Sequence, residues 1–471
     1  MTTPLAHRLS LREKLSYGCA DFASVLFWHT FMVYLTFFYT DVYGLSAAAV
    51  GTMLLFSRIL DGASDILVGI WADRTQTRWG KFRPFILFGC VPFAVFGVLT
   101  FTTPNFDDAG KLIWAYITYN GLMTLYTIVN IPYTAMLGVA TPDSAERTKL
   151  SSIKFIFAFS AGIVVSATLL PLAKALGGDN AQLGWQLAFI VYGLVAVIFF
   201  LITFFGTRER VTAPIPEGTS LGRDLKQLFT NQPWLILVSV TLTFILFVAL
   251  RSSVSTHYIK YFIYDGQPER ALTFLGQEFT FVGLTSAFQT LGQAASVAGV
   301  LFLGLGSVRM GKKAAFFLAY GIALATTAGY FFLSPGQVGA IFILQALGSF
   351  ASAPLPVLLW AMYADTADYG EWKYRRRTTG LVFSASTMSQ KIGWAFGAFF
   401  ALQLLDSVGF VANAEPSDQV KNGLVWLTSL LPVAFGIISV VLMIFYPLSE
   451  ARMKTIATDL EKRRADATPA A

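Results

Sequence analysis

Twelve long apolar segments constrain the fold of this chain more than any other feature of its sequence. A helix needs about 20 mainly apolar residues to span a bilayer, and each segment reaches that length. The segments lie at 15–40, 46–72, 82–103, 112–140, 150–175, 184–206, 233–262, 279–305, 314–334, 337–362, 379–405 and 421–448. Strands of a transmembrane barrel are shorter, about ten residues, and alternate with a period of two. We therefore predict an all-α polytopic membrane protein with twelve transmembrane helices.

The low charge of the chain supports a membrane location. Only 13% of its 471 residues are charged, whereas an ordinary soluble domain has about 25%. Most of the surface must therefore face lipid, and the formal net charge of +7 does not indicate a nucleic-acid partner. The two cysteines, Cys19 and Cys90, lack metal-ligand spacing, so we expect no cofactor and no metal beyond a bound Na⁺. The first segment runs unbroken and contains Asp21, which indicates a retained helix rather than a signal peptide.

Lysine and arginine residues in the loops set the predicted orientation. With the N-terminus in the cytoplasm, the cytoplasmic pieces hold 25 of the 34 basic residues, and the opposite side holds four. We therefore expect an integral membrane protein with both termini in the cytoplasm.

The longest predicted cytoplasmic connection divides the twelve segments into two halves of six. It contains Pro214, Pro216, Glu217 and Gly218. This organisation resembles that of major-facilitator carriers, in which two pseudo-symmetric six-helix bundles enclose a substrate site near the midplane. We predict an N-terminal bundle at 1–207, a linker at 208–232, a C-terminal bundle at 233–450 and a cytoplasmic tail at 451–471.

Charged residues within the apolar segments are functional candidates, because each costs about 2.5–3.5 kcal/mol at the centre of a bilayer. Asp61 and Asp65 lie one turn apart on one helix face, and Arg58 precedes Asp61 by three residues. Such a carboxylate pair can bind Na⁺ or take up H⁺, and Ser64 can add an oxygen. The alternative is a structural salt-bridge cluster in which Arg58 neutralises one carboxylate and Lys391 pairs with the other.

Other polar residues indicate where a substrate binds. Asp21 and Trp28 share a face of the first helix, a combination that can hold sugar hydroxyls and stack on a sugar ring, although Asp21 could equally make a packing hydrogen bond. Three residues, Tyr126, Asn130 and Thr134, form one stripe of the fourth helix. We expect Arg251 and Lys260 to lie near helix ends and to extend towards the membrane surface.

Several short motifs, in this order and spacing, resemble the glycoside–pentoside–hexuronide cation symporters, the major-facilitator branch that includes the melibiose carrier. The resemblance covers nearly the whole chain. The motifs are Leu15–Gly18 (LSYG), Phe38–Val42 (FYTDV), Arg58–Asp65, Arg78–Pro84 (RWGKFRP), Asn130–Tyr133 (NIPY), Glu146–Thr148 (ERT) and Ala364–Lys373 (ADTADYGEWK).

The resemblance implies symport of a sugar or glycoside with Na⁺, H⁺ or Li⁺. Asp61 and Asp65 match the family's cation-site carboxylates, and Thr127 matches a further cation-site position. Lys391 matches a lysine near that site, and Thr387 matches a sugar-facing position. Lys154 stands where the melibiose carrier has an arginine.

The departures leave the sugar open. An ungapped alignment puts Val25 where the melibiose carrier has its first galactoside-binding aspartate, and Asn130 replaces the second. Thr134 stands at an aromatic position, and Asp21 lies one turn from the family position. Ser64 replaces an asparagine that supports Na⁺ use, which favours H⁺.

We therefore predict a monomeric sugar–cation symporter that works by alternating access. Cytoplasmic salt bridges would break and reform in a charge network comprising Arg58, Arg78, Lys81, Asp365, Asp368 and Arg377. The alternative in the same fold is a carrier of a lysolipid or another amphiphile. An intramembrane enzyme is disfavoured because the two membrane histidines, His29 and His257, lie on distant helices without a paired thiol. A channel is disfavoured because no re-entrant segment interrupts the helices.

Overall fold

The computed structural model describes residues 9–141, 144–210, 221–374 and 379–467, and this part of the chain is predominantly α-helical. The helices are α1 (Leu11–Val33), α2 (Leu35–Phe37), α3 (Ala47–Arg74), α4 (Arg83–Thr100), α5 (Asp108–Ala140), α6 (Ser144–Gly177), α7 (Ala181–Gly206), α8 (Leu221–Thr230), α9 (Gln232–His257), α10 (Phe281–Met310), α11 (Lys312–Gly329), α12 (Val338–Ser352), α13 (Pro354–Tyr374), α14 (Thr379–Ser407), α15 (Asp418–Thr428), α16 (Leu430–Ile444) and α17 (Glu450–Ala467).

By length and apolar composition, eight helical spans among the described residues could cross a membrane. The count is nine when the bent pair Leu11–Val33 and Leu35–Val42 is taken as one span. The other three predicted segments coincide with α3, α10 and α14, which are 28, 30 and 29 residues long. Helix α3 contains the charged residues Arg58, Asp61 and Asp65, which lower its hydropathy. Each of the twelve predicted segments thus corresponds to a helix or to a pair of consecutive helices.

Several predicted spans are broken rather than straight. The first bends by 62° between α1 and the stretch Leu35–Val42, whose last five residues form a π-helix. The end of α9 likewise continues as a π-helix at Tyr258–Ile263. Helices α12 and α13 are separated at Ala353, directly before Pro354, because proline has no N–H for the helical ladder. π-helical turns occur often at functional positions, and both of these carry buried charges.

Three elements extend the predicted pattern. A hairpin of β1 (Leu272–Phe274) and β2 (Gln277–Phe279) lies in the loop before α10 and is antiparallel. The predicted linker contains α8, and the predicted tail contains α17. Both helices are amphipathic, with Leu228 and Leu460 buried. Because they also contain many charged residues, they are not long apolar segments, and they were not predicted from the sequence.

The described residues group into two compact units. The first comprises Met1–Ile215, Ser252–Gln293 and Ala398–Lys421. Within it α1 packs against α6 and α7, α4 packs against α5 and α7, and α3 packs against α5. The Phe27 ring fits over Gly97, where a Cβ atom would lie only 2.2 Å from the ring. This packing places the polar faces of α1, α3, α5 and α6 together.

The second unit comprises Pro216–Arg251, Ala294–Gly397 and Asn422–Ala471. Helix α11 packs against α12, α13 and α16 in this unit. Its core includes Tyr320, whose ring lies edge-on to Phe244, Phe247 and Phe316. The division into two sequential six-helix bundles stays a prediction.

Candidate functional site

Three oxygen-bearing side chains meet between α3 and α5 in the first unit. Thr127 Oγ1 lies 3.2 Å from Asp61 Oδ1 and 3.0 Å from Asp65 Oδ1. Asp61 and Thr127 are buried, and Asp65 is half-buried. Because a hydroxyl has a single hydrogen, Thr127 donates to one carboxylate at a time and keeps its lone pairs for another partner. The geometry thus offers carboxylate and hydroxyl oxygens, which are the ligands that hard cations prefer.

Ser64 lies next to this group on α3. Its hydroxyl donates a hydrogen bond of 2.8 Å to the backbone carbonyl of Asp61. The hydroxyl hydrogen is therefore used within the helix, and only the lone pairs of the oxygen remain for a cation. The cation-binding roles of Ser64, Asp61, Asp65 and Thr127 stay predictions.

Arg58 links the carboxylates to an aromatic side chain. Its Nη1 atom lies 3.5 Å from Asp61 Oδ2, and its guanidinium carbon lies 5.0 Å from the centroid of the Trp28 ring. The side chains of Arg58 and Asp61 are 7% and 1% exposed. The alternative interpretation, a structural salt-bridge cluster in which Arg58 neutralises one carboxylate, requires this contact. A cation that binds Asp61 would share the carboxylate with Arg58, so the two positions are coupled.

Trp28 and Tyr126 form a stacked pair between α1 and α5. Their ring centroids are 5.3 Å apart, and their planes differ by 28°. Tyr126 directly precedes Thr127, so the stack adjoins the carboxylates. The phenol group lies within electrostatic reach of four ionisable side chains, which are Asp21, Arg58, Asp61 and Asp65.

An ion pair joins α1 to α6. Lys154 Nζ lies 3.6 Å from Asp21 Oδ1, and the two side chains are 22% and 13% exposed. The Lys154 ammonium also lies 5.4 Å from the centre of the Tyr133 ring. Tyr17 and Tyr133 hold α1 and α5 together here, because each hydroxyl donates to the backbone carbonyl of the other residue, at 3.3 and 3.1 Å.

Asn130 is held by hydrogen bonds on both sides of its amide. The Nδ2 group donates to the Tyr126 carbonyl at 3.0 Å, and Oδ1 accepts from Ser24 Oγ at 2.7 Å. Thr134, one turn further along α5, is exposed. Pro132 lies inside α5 and cannot donate to the helical ladder.

Two predicted substrate residues belong to the second unit. Thr387 and Lys391 lie one turn apart on α14, Thr387 exposed and Lys391 half-buried. Their sugar-facing and site-adjacent roles stay predictions.

The predicted charge network lies on several elements of the two units. In the first unit, Glu209 accepts hydrogen bonds from the backbone N–H groups of Lys81, Phe82 and Arg83, at 2.8, 2.8 and 3.0 Å. The Arg78 guanidinium lies 4.3 Å from the centre of its neighbouring indole ring.

In the second unit, Asp365 pairs with Lys312 at 2.7 Å, and Asp368 is half-buried on α13. Arg377 lies outside the described residues. The roles of these residues in gating stay predictions.

A second buried charge cluster lies where the two π-helices meet, and sequence reasoning missed it. Lys260 Nζ lies 2.8 Å from Asp41 Oδ1 and 2.6 Å from Asn413 Oδ1. His257 Nε2 lies 3.2 Å from Asp41 Oδ2, and the Tyr261 hydroxyl donates to Asp41 Oδ1. These contacts tie the end of the first span to the end of α9 and to the loop after α14.

The expectation that the side chain extends towards the membrane surface is wrong for Lys260 and stays a prediction for Arg251. Lys260 is only 5% exposed because Asp41 compensates its charge within the protein. Arg251 donates to Thr327 Oγ1 at 3.1 Å and lies 5.0 Å from the centre of the Tyr330 ring. One sequence feature could have indicated the cluster around Asp41: the spacing of His257 and Lys260 places both residues on one helix face.

Comparison with known proteins identifies the family. The sequence model of the MFS/sugar transport protein family matches residues 16–450. The chain is 34% identical to the inner membrane symporter YicJ of Escherichia coli K12, covering 97% of this chain and 96% of that protein. It is 34% identical to the isoprimeverose transporter of Lactiplantibacillus pentosus (96% and 92% covered) and 30% identical to the glucuronide carrier protein homolog of E. coli K12 (97% and 97%).

Solved structures support the same fold. A bacterial homolog of the human lysosomal transporter Spinster superposes with a TM-score of 0.68 at 15% identity, covering 95% of this chain and 97% of that one. A D-xylose–proton symporter gives a TM-score of 0.62 at 14% identity, with 93% and 97% covered. The chain therefore has the major-facilitator fold, and it belongs to the MFS/sugar transport protein family, in the branch of the glycoside–pentoside–hexuronide symporters.

Proposed function

We propose that this protein is a secondary active transporter that carries a sugar or glycoside together with H⁺ or Na⁺ across the bacterial inner membrane. One observation carries the proposal: the carboxylates of Asp61 and Asp65 converge on the Thr127 hydroxyl within helices of a membrane protein. Ionisable groups at such depth are costly and mark ion pathways. Family membership and the names of the relatives supply the class of substrate.

The cation is proposed to bind between Asp61 and Asp65. Arg58 pairs with Asp61, and a Na⁺ ion between the two carboxylates, or a proton on one of them, would add a further positive charge. Cation binding would also relieve the repulsion between the two carboxylates. Since Arg58 contacts both Asp61 and the Trp28 ring, this step changes the forces on an aromatic side chain of the proposed sugar site.

The sugar is proposed to bind beside the stacked rings of Trp28 and Tyr126. A flat indole offers a surface for the C–H face of a sugar, and Asp21 and Lys154 offer an acceptor and a donor for its hydroxyls. The proposed substrate site further includes Asn130, Thr134, Thr387 and Lys391.

Transport is proposed to follow alternating access, the mechanism that major-facilitator carriers share. We further propose that both termini lie in the cytoplasm and that the protein works as a monomer without a cofactor. The loop asymmetry of 25 basic residues against four supports this orientation.

A direct experiment is accumulation of labelled sugars by proteoliposomes that contain the purified protein, with Asp61→Asn and Asp65→Asn as test variants. We expect accumulation of at least one sugar or glycoside under an imposed Na⁺ or H⁺ gradient, and none in either variant. Asp179→Asn is the matched control, since the Asp179 side chain is fully exposed.

Accumulation of a lysolipid instead of any sugar would contradict the proposed substrate class. It would support the amphiphile alternative in the same fold. Wild-type accumulation by either aspartate variant would contradict the cation-site assignment.

A further inference from the structure

A second polar contact joins α1 to α6 in the first unit, and the proposed function does not use it. His29 Nε2 lies 2.9 Å from Ser166 Oγ. Ser166 is fully buried, whereas His29 is half-buried. The serine contact occupies one ring nitrogen and fixes the orientation of the imidazole, so the other nitrogen, Nδ1, can donate to or accept from a further partner.

Gln293 on α10 reaches the same place. Gly162 lies one turn before Ser166 on α6, and a Cβ atom there would lie 3.0 Å from Gln293 Oε1 and 3.8 Å from His29 Nδ1. The missing side chain of the glycine therefore leaves a space beside both polar atoms. Within the described part of the chain, neither Nδ1 nor the half-buried Gln293 amide has a hydrogen-bonding partner.

The preceding glutamine on α10 has a different environment. Gln289, one turn before Gln293, is buried, and its Nε2 group donates to Ser255 Oγ on α9 at 3.0 Å. Gln289 therefore connects two helices of the first unit. Gln293 makes no such connection, and its amide is accessible to a ligand.

An uncharged amide and an imidazole suit hydroxyl groups. A sugar hydroxyl both donates and accepts, the amide oxygen accepts, and Nδ1 does either according to its tautomer. Two adjacent hydroxyls of a sugar ring can therefore bind His29 and Gln293 together. An alkyl group in this space would bury two polar side chains without partners, which is unfavourable.

The space beside Gly162 lies at a distance from the Asp21–Lys154 pair. His29 follows Asp21 by eight residues on α1, and Gly162 follows Lys154 by eight residues on α6. Eight residues correspond to about 12 Å along a helix axis. A single pyranose ring is shorter than this distance, whereas two linked sugar units can contact both groups.

We propose that His29, Gln293 and the space beside Gly162 form a second sugar subsite, and that the substrate is a disaccharide or a glycoside whose second unit carries hydroxyls. The inference rests on the proposed function and narrows its substrate class. The first unit of the substrate contacts Asp21, Lys154 and Trp28, and the second contacts His29 and Gln293.

The test measures binding to the purified full-length protein in Na⁺ buffer and in Na⁺-free buffer at two pH values. The probes are disaccharides of glucose, galactose and xylose units, the methyl glycosides of each unit, and the cyclohexyl glycosides, whose second ring has no hydroxyls. We expect at least one disaccharide to bind about tenfold or more tightly than its methyl and cyclohexyl counterparts, because it makes additional hydrogen bonds.

Two variants assign the effect to this space. Gly162→Ala fills it with a methyl group, and Gln293→Met keeps the length of the side chain while removing the amide. We expect each to weaken the disaccharide about tenfold and the methyl glycosides less than about threefold. Gly321→Ala is the matched control, because Gly321 is also helical but has no atom within 4 Å of its Cβ position. It should change neither affinity, and unfolding temperatures verify that all variants are folded.

The outcomes distinguish the second subsite from the proposed function. A methyl or cyclohexyl glycoside that binds as tightly as every matching disaccharide overturns the second subsite and leaves sugar symport in place. Unchanged disaccharide affinity in either folded variant overturns the assignment to the space beside Gly162. Failure of every probe, and of every sugar in the accumulation experiment, contradicts the proposed function itself.

Discussion

Lys260 and Asp41 form an ion pair of 2.8 Å in which both side chains are almost fully buried. They lie 219 residues apart in the chain, one at the end of the first span and the other after α9. His257, Tyr261 and Asn413 are further partners of Asp41. The pair therefore stabilises a junction of distant segments within the first unit.

We predict that Asp41→Asn destabilises the protein strongly. Removing one partner of a buried ion pair leaves an uncompensated charge, which typically costs about 3–5 kcal/mol. Thermal unfolding of the purified protein in detergent measures the effect. The double variant Asp41→Asn with Lys260→Met removes both charges and should be more stable than Asp41→Asn alone. If the double variant is the less stable of the two, the charge pairing is not the cause.

We predict that Thr127→Val weakens the coupling cation more than the sugar. The Thr127 hydroxyl contacts both carboxylates, and valine keeps the shape while removing this oxygen. The loss of one hydrogen bond to a charged group is worth about 1.5–3 kcal/mol, or roughly tenfold to a hundredfold in cation affinity. Cation-dependent sugar uptake at varied Na⁺ and pH measures it. Thr127→Ser, which restores the hydroxyl, should recover most of the affinity, and no recovery would contradict this role.

We predict that Trp28→Ala reduces sugar affinity by more than Trp28→Phe. Phenylalanine can retain a stack on Tyr126 and a face towards Arg58, whereas alanine removes both contacts. An aromatic contact of this kind is worth about 0.5–1.5 kcal/mol beyond the buried area. Equilibrium binding of a transported glycoside gives the comparison. Equal affinities of the two variants would remove Trp28 from the sugar site.

We predict that Gly80→Ala destabilises the loop before α4. Gly80 has a φ of 111°, and a Cβ atom there would lie 2.6 Å from Glu209 Oε1. Glu209 would have to move away from the backbone N–H groups that donate hydrogen bonds to it. We therefore expect the free energy of unfolding to fall by about 1–3 kcal/mol. Gly178→Ala is a matched control, because Gly178 also has a positive φ but open space around its Cβ position. Similar unfolding temperatures of the two variants would show that the Glu209 contact adds nothing.

We predict that Glu146 stabilises the protein equally at pH 5.5 and pH 8. Hydrogen bonds and ion pairs with Lys14 and Lys149, at 2.6 and 2.9 Å, lower the pKa of Glu146 from 4.5 to about 2. A lowered pKa means that the stabilisation is complete above about pH 4.5 and is lost as the pH falls through 2. Glu146→Gln should therefore lower the unfolding temperature by the same amount at both pH values. A larger effect at pH 8 would mean that the group titrates in this range.

The membrane-spanning helices could be predicted from the sequence because the length of an apolar segment determines whether it can span a bilayer. The predicted boundaries differ where polar residues continue a helix beyond its apolar part. Helix α13 ends at Tyr374, although the predicted segment stops at 362, and α5 begins at Asp108 after the side chain of Asp107 caps it. The apolar segments do not include such polar helical turns. Capping and packing outside the lipid stabilise these turns, and neither requires apolar residues.

The site was predictable only where its members are close in sequence. Helical spacing alone placed Asp61 and Asp65 on one face, and resemblance added Thr127. The Asp41–Lys260 contact depends on how distant helices pack, and no periodicity in the sequence specifies it. The Asp21–Lys154 pair was likewise visible as two separate candidates but not as a pair.

Electrical measurement on proteoliposomes tests sugar–cation symport most directly, with Na⁺ and pH gradients imposed separately against a panel of mono- and disaccharides. We predict an inward current that requires one sugar and one of the two gradients, and that is absent in Asp61→Asn and Asp65→Asn. An uncharged sugar with a monovalent cation moves one positive charge per turnover. Sugar uptake that needs neither gradient, or silence across the panel in protein shown to be folded, would contradict the account.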